Sequence, residues 1–323
     1  MAADRARSDD APRKPPRLRP GDAVGLVAPA NPWSNRSDIL RGVKALEGWG
    51  LKVKLGSHVN DRHGYMAGRD EDRAADLNAM WRDPDVRAIV CLQGGYGSPR
   101  LVPLLDREAI AANPKAVLGY SDITAIHLAV AAWGDTITFY SNGAAGVGAA
   151  DTSEFSRQAL HRALFSDEPY GQIGPNPDDP WVRSIRGGKA SGRLIGGCFG
   201  LVEGTIGTPW EIDMRGRILF LETVEEGYVY EVDNGLTHLR NAGKLEGVAG
   251  IVIGDMPGKH SGVTQELSLE DVLEELLEPL GVPVMAGLPI GHGKHHATIP
   301  IGAMATLDAD AGTLVVEEVV TAD

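Results

Sequence analysis

The stretch "KAVLGYSDITAIHLAVAAWG", residues 115–134, decides the fold class. It opens on a short apolar run, Ala116 to Tyr120, that reads as a buried strand. Ile123, Ile126, Val130 and Trp133 then recur close to helical spacing, and Gly134 supplies a stop. A strand that runs straight into a helix is half of a βαβ unit. Between the two halves stands Ser121, where a serine can cap a helix or attack a carbonyl.

The same alternation extends outward on both sides. "DAVGLVAPA" (22–30) reads as a strand, "SDILRGVKALEGWG" (37–50) as a helix and "LKVKLG" (51–56) as a strand. "DEDRAADLNAMWRD" (70–83) follows as a helix, and "VRAIVCLQ" (86–93) is a strand that ends in "GGYGS". "PRLVPLLD" (99–106) starts a short helix. Strands alternating with helices predict right-handed crossovers and a mainly parallel sheet with helices on both faces.

Residues 166–190, dense in Pro, Gly and Asp, read as a linker. Beyond them the pattern is mixed. "RILFLE" (217–222) and "GVAGIVIGD" (247–255) are strands, "SLEDVLEELLEPLG" (268–281) is a helix, and "MATLDADAGTLVVEE" (304–318) is a hairpin about Asp310 to Gly312. The expected fold is α/β, with an N-terminal domain over 17–165 and a second, mixed α/β domain over 191–323. Residues 1–16, charged and Pro-rich, are expected to form a disordered tail.

At 323 residues the chain is long for a single core, which agrees with two domains. A formal net charge of −13 argues against nucleic acid or an anionic membrane as partner, since both want a basic face. The two cysteines, Cys91 and Cys198, lie far apart and suggest neither a disulfide framework nor a thiolate-bound zinc. The N-terminus lacks the apolar core of a secretory signal, and no apolar run approaches the ~20 residues a spanning helix needs. A soluble, cytoplasmic protein is expected.

Four places carry chemistry. Ser121 sits at the carboxyl edge of its strand, where open α/β sheets bind ligands and helix amides face a developing oxyanion. An N-cap is the plainer role, and the G-x-S-x-G elbow is not met because its fifth position is Ile123. "QGGYGSPR" (93–100) fails both the dinucleotide and the Walker patterns, yet its amides can approach an anion closely. Glu222 ends "RILFLE", a position suited to a catalytic carboxylate or to a surface ion pair; Glu225 and Glu226 follow in a loop. "PIGHGKHHATIPIG" (289–302) holds His292 between glycines that let the backbone bend an imidazole into a cleft. His292, His295 and His296 have metal-ligand offsets only on a helix, which Gly291, Gly293 and Pro300 oppose.

The segments "GGYGSPRLVPLLD" (94–106), "NPKAVLGYSDITAIHLA" (113–129), "GGCFGLVEGTIGTPWEIDMRGRILFLETVEE" (196–226) and "LPIGHGKHHATIPIGAMATLD" (288–308) together resemble the L,D-carboxypeptidase family of serine peptidases. That family takes in murein tetrapeptide carboxypeptidases and microcin C self-immunity peptidases. The resemblance implies a nucleophile domain followed by a domain carrying Glu and His, with the site between them and commonly in a homodimer. It implies Ser121 as nucleophile, His292 as general base and Glu222 as the acid that orients the imidazole. The amides of Asp122 and of one glycine among Gly94 to Gly97, Gly95 being preferred, would form the oxyanion hole. No metal or organic cofactor is required. The resemblance departs at Cys198, where the family commonly has Asn, and at "YSNGAAG" (140–146), where many members have a Gly-Pro turn.

The expected substrate is a small amide: the terminal D-Ala of a muropeptide, or an aminoacyl-nucleotide analogue of the microcin type. Arg100 and Lys294 are candidate partners for a substrate carboxylate, and Tyr228, with Tyr230, for a base. Two readings from other classes are a non-catalytic module binding a small ligand at the glycine loop and a His-dependent metallohydrolase. An intact Ser, Glu and His set counts against the first.

Overall fold

The computed structural model describes residues 11–33, 36–180, 182–224, 227–257, 259–260 and 267–323. Two large sheets organise them, beside a two-stranded one of Gly227–Tyr228 and Lys259–His260. The first runs in the order Ile299–Ile301, Thr138–Tyr140, Ala116–Gly119, Val86–Cys91, Ala23–Val27, Lys52–Leu55. All its pairings are parallel except that of Ile299–Ile301, which lies antiparallel on Thr138–Tyr140. The central strands Ala116–Gly119 and Val86–Cys91 are buried except at Arg87, as expected of a sheet covered on both faces.

The second sheet has eight strands in the order Gly171–Ile173, Thr313–Val316, Met304–Asp308, Lys189–Cys198, Arg217–Glu222, Gly250–Ile253, Val284–Ala286, Arg183–Arg186. Its centre is parallel, from Lys189–Cys198 through Val284–Ala286, and its flanks are antiparallel. The hairpin expected near residue 311 is present, with Asp308 opposite Thr313. Helix Leu269–Leu277 buries Val272, Leu273, Leu276 and Leu277, and Ser268 and Asp271 cap it reciprocally. Among the described residues no helix is long and apolar enough to cross a membrane.

Three expectations change on the structure. Residues 11–16, assigned to the tail, are held: the Arg13 amide donates to Asp135 O at 2.7 Å, Arg13 bridges to Thr136 and Pro16 to Ala322. Residues 1–10 lie outside the described set. The linker, 166–190, contributes strands Gly171–Ile173 and Arg183–Arg186 to opposite ends of the second sheet. Its Pro and Gly content marks edges and turns, where the missing N–H of proline costs no ladder bond. Finally, the chain returns from the second sheet to add Ile299–Ile301 to the first. One apolar cluster accordingly runs through both, from Leu26, Leu118 and Phe139 to Phe220, Ile251 and Val284.

Candidate active site

The carboxyl ends of parallel strands from both sheets meet at one place. From the first sheet come the glycine loop after Val86–Cys91 and the turn after Ala116–Gly119. From the second come Cys198, Glu222, Asp255 and the loop around His292. This is the edge at which open α/β sheets bind ligands, because the strand-to-helix turns leave amides and side chains unpaired there.

Ser121 begins a single 3-10 turn, Ser121–Ile123, ahead of helix Thr124–Trp133. It does not cap that helix through its side chain, so the plainer role is not the one it fills. Its φ is +60°, a left-handed conformation unfavourable for a residue with a Cβ and concentrated at functional sites. Three contacts hold it. Its amide donates to Tyr140 Oη at 3.0 Å, its carbonyl accepts from Thr124 Oγ1 at 2.6 Å, and Gly94 packs against its side chain. A Cβ at Gly94 would lie 2.8 Å from Ser121 Cβ, so only glycine allows the loop this close.

The loop and the serine turn are tied together. Asp122, buried, accepts from the Ser98 amide at 2.7 Å, and Ser98 Oγ donates to the Asp122 carbonyl. Burial pushes the Asp122 carboxyl up, against the pull of these donors. Gly95, at φ +121°, lies against Asn31, whose Oδ1 accepts from the Tyr96 amide at 3.0 Å.

Glu222 is fully buried and needs partners for both oxygens. His292 Nδ1 lies 2.6 Å from Oε2, and Tyr140 Oη donates to Oε1. Gly291, at φ +126°, lets the histidine loop pass this closely: a Cβ there would sit 2.3 Å from Oε2. The Tyr120 ring packs on His292 with centroids 5.1 Å apart and on His296 at 4.6 Å. Burial pushes the His296 imidazole down to about 4, so it is neutral near pH 7. A buried carboxylate that orients an imidazole is an arrangement able to activate a hydroxyl, and the ring packed on that imidazole belongs to Tyr120, the chain neighbour of Ser121.

The three histidines do not converge. His292 faces Glu222, His296 Nδ1 lies 3.0 Å from Ala297 O, and His295 Nε2 lies 3.1 Å from Asp178 Oδ2. Among the described residues, the grouping with metal-ligand spacing is His58, Asp61 and Asp72, all partly or fully exposed and none of them among the three histidines. Lys294 reaches outward to Asp178 at 2.7 Å. Arg100 is half exposed and pairs with Asp70 at 2.7 Å, an acid shared with the buried Arg73. Tyr228 and Tyr230 are exposed and stacked, with centroids 5.0 Å apart and planes at 11°. Glu225 and Glu226 lie outside the described residues.

Four residues that the motifs do not single out complete the site: Tyr140, Thr124, Asn31 and Asp255. Thr124 also accepts from the Cys198 amide at 3.0 Å, joining the two domains beside the serine. Cys198 pairs in register with Glu222, and burial, then the Glu222 charge, push its thiol up, away from thiolate. Asp255 lies two residues past the end of strand Gly250–Ile253 and accepts from the Gly293 amide at 3.1 Å, behind His292.

Burial, reinforced by the Glu222 charge, pushes the Asp255 carboxyl up to about 6, while the Gly293 amide and His292 oppose it. The native state therefore holds this proton where an unfolded aspartate, near ~3.9, has released it. The stabilising contribution is complete below that unfolded value and is lost as pH rises through about 6. Asp255→Asn keeps an acceptor for Gly293 and removes the charge. Its melting temperature relative to the parent should rise more at pH 7.5 than at pH 4.5. An equal difference at both pH values in thermal melts would show that the charge is not what burial penalises.

Comparison with known proteins identifies the family. The profile described as LD-carboxypeptidase N-terminal domain matches residues 24–141, and that described as LD-carboxypeptidase C-terminal domain matches 191–307. The chain is 36% identical to the "Probable murein peptide carboxypeptidase" of Bacillus subtilis, over 94% of each chain. It is 32% identical to the murein tetrapeptide carboxypeptidase of Pseudomonas aeruginosa, over 89% of this chain and 93% of that one. Among solved structures, MccF in complex with glutamyl sulfamoyl guanosine superposes with a TM-score of 0.85 at 25% identity, covering 96% of this chain and all of that one. With both family domains matched in order around the Ser121, Glu222 and His292 loops, the chain belongs to the LD-carboxypeptidase family of peptidases.

Proposed function

We propose that the protein is a serine peptidase that hydrolyses a small amide through an acyl-enzyme, and that its substrate is a muropeptide losing a terminal D-Ala. The observation that carries this reading is the buried Glu222, bound to His292 Nδ1 at 2.6 Å and linked through Tyr140 to the amide of the strained Ser121. With Nδ1–H donated to Glu222, the other ring nitrogen is left to take a proton. Ser121 Oγ attacks the amide carbonyl carbon as its proton passes to His292. The carbonyl oxygen becomes an oxyanion that the amides of Gly95 and Asp122 stabilise. His292 then protonates the leaving amine as the C–N bond breaks. Water repeats the sequence on the acyl-enzyme, returning the proton to Ser121 Oγ and releasing the acid. No step asks for a metal, so dialysis against a chelator should leave the rate unchanged.

The muropeptide reading gains support from charge at the lip of the glycine loop. Arg73 and Arg100 both pair with Asp70, and Arg73, beside Gly97, also faces the buried Asp122. Arg100, half exposed, is the member a substrate carboxylate can reach, and its planar fork suits two-point binding. Arg100→Ala should raise KM for a free-carboxylate tetrapeptide about tenfold or more, as loss of a charge-assisted pair costs, and leave its C-terminal amide nearly unaffected. Equal loss on both substrates, measured by steady-state kinetics, would remove Arg100 from the carboxylate site.

The second reading is cleavage of an aminoacyl-nucleotide analogue. The stacked Tyr228 and Tyr230 favour it, since an exposed aromatic platform suits a nucleobase. Digestion of a muropeptide mixture and of an aminoacyl-sulfamoyl adenosine by one preparation, read by mass spectrometry, separates the two. Release of D-Ala alone supports the first reading, and cleavage of the sulfamoyl adenosine alone replaces it with the second.

A further inference from the structure

Tyr140 takes part in none of the acyl-transfer steps above, yet it touches both halves of the site. It ends strand Thr138–Tyr140, directly opposite Gly119 on the strand that delivers Ser121. Its hydroxyl accepts from the Ser121 amide at 3.0 Å and donates to Glu222 Oε1. The side chain is fully buried, walled by Phe220 at 5.4 Å, Tyr120 at 6.3 Å and His127 at 6.1 Å between centroids.

We propose that Tyr140 is a positioning residue: one phenolic oxygen, held on the first sheet, sets the nucleophile's strained turn against the acid of the second sheet. This rests on Ser121 being the nucleophile. Two physical consequences follow. A serine at φ +60° keeps that conformation only where its surroundings enforce it, and the hydrogen bond on its amide is one of three contacts that do so. A buried carboxylate shared between a phenol and an imidazole also divides its charge between them. The donor on Oε1 weakens the pull of Oε2 on the Nδ1 proton of His292, whose other titratable neighbours are Tyr120, Asp255 and His296. The phenol keeps its own proton for this role, because burial and the Glu222 charge both oppose its ionisation.

The alternative is that Tyr140 is an ordinary core aromatic whose hydroxyl merely finds partners. The two differ in what the hydroxyl does to the pH profile. The test follows Ser121 with a fluorophosphonate probe by intact-protein mass, which needs no knowledge of the natural substrate. Tyr140→Phe should slow labelling about tenfold or more and move the acid limb of its rate–pH profile to higher pH. Incorporation of 3-fluorotyrosine at 140, a nearly isosteric and stronger donor, should move that limb to lower pH. In a Glu222→Gln background the Phe change should no longer move the limb, since that shift acts through the carboxylate, while the slowing that comes through the Ser121 amide persists.

A parent that labels, with Tyr140→Phe labelling at the same rate and with the same acid limb, overturns the proposal and leaves the serine mechanism standing. Slower labelling with an unmoved limb, together with a lowered melting temperature, assigns Tyr140 a packing role and overturns it too. Where the Phe variant fails to fold, the fluorotyrosine limb alone decides, and no shift overturns the proposal. A parent that never labels removes both the nucleophile and the strut.

Discussion

Ser121→Ala is expected to lower turnover by on the order of a thousandfold or more, because it removes the atom that bonds to the substrate. The fold should survive. Ser121 Oγ caps neither the 3-10 turn nor the helix after it, and the contacts that hold the turn run through the backbone, from Tyr140 and Thr124. Ser121→Gly sharpens the expectation. A residue with a Cβ pays roughly 1–2 kcal/mol to stand at a positive φ. Glycine avoids that cost and loses about 0.5–1 kcal/mol through greater freedom of the unfolded chain. The glycine variant should therefore be as inactive as the alanine variant, yet at least as stable as the parent in urea unfolding. A serine held against its own preference is hard to explain unless its chemistry requires that pose. Wild-type-like hydrolysis by either folded variant would end the nucleophile assignment.

Much of this site is legible in the sequence, and the reason is positional. Ser121 and Glu222 each end an apolar run, and His292 lies between glycines, so strand-end logic finds all three. The same logic reaches Asp255, which ends "GIVIGD" as Glu222 ends "RILFLE". The sequence does not say that Asp255 stands behind the histidine loop, because that depends on strands Gly250–Ile253 and Arg217–Glu222 being neighbours. Tyr140 is hidden for a related reason. No motif or periodic run marks it, and only the abutting of two sheets brings a carboxylate to its hydroxyl. The Pro- and Gly-rich stretch after residue 166 reads as linker because edge strands and turns share its composition. Composition locates breaks in structure well, and it says little about which sheet a short strand between two breaks will join.

Glu222→Gln should cost nearly as much activity as loss of the nucleophile while leaving a folded protein. The native carboxylate accepts twice, from Tyr140 at Oε1 and from His292 Nδ1 at Oε2. Glutamine has one acceptor oxygen and one donor nitrogen, so one partner must change. If the amide oxygen stays with Tyr140, its nitrogen faces Nδ1 and selects the tautomer with the proton on Nε2. That imidazole cannot take a proton from Ser121 Oγ. If the amide turns over, Tyr140 meets a donor, and the Ser121 amide loses a fixed acceptor. Either the base or the support of the nucleophile is compromised, and a loss on the order of 10⁴ in kcat is expected near neutral pH where the base is the one lost. Stability should change little at pH 7, because the substitution removes a fully buried charge and keeps the shape. Glu222→Ala supplies the contrast. It leaves a cavity together with two buried polar groups stripped of their acceptor, and should destabilise by about 3 kcal/mol or more. Turnover and urea unfolding on the two variants check this together. Equal destabilisation by both would mean that Glu222 serves the packing of the second sheet, and substantial activity in Glu222→Gln would mean that His292 needs no acid behind it.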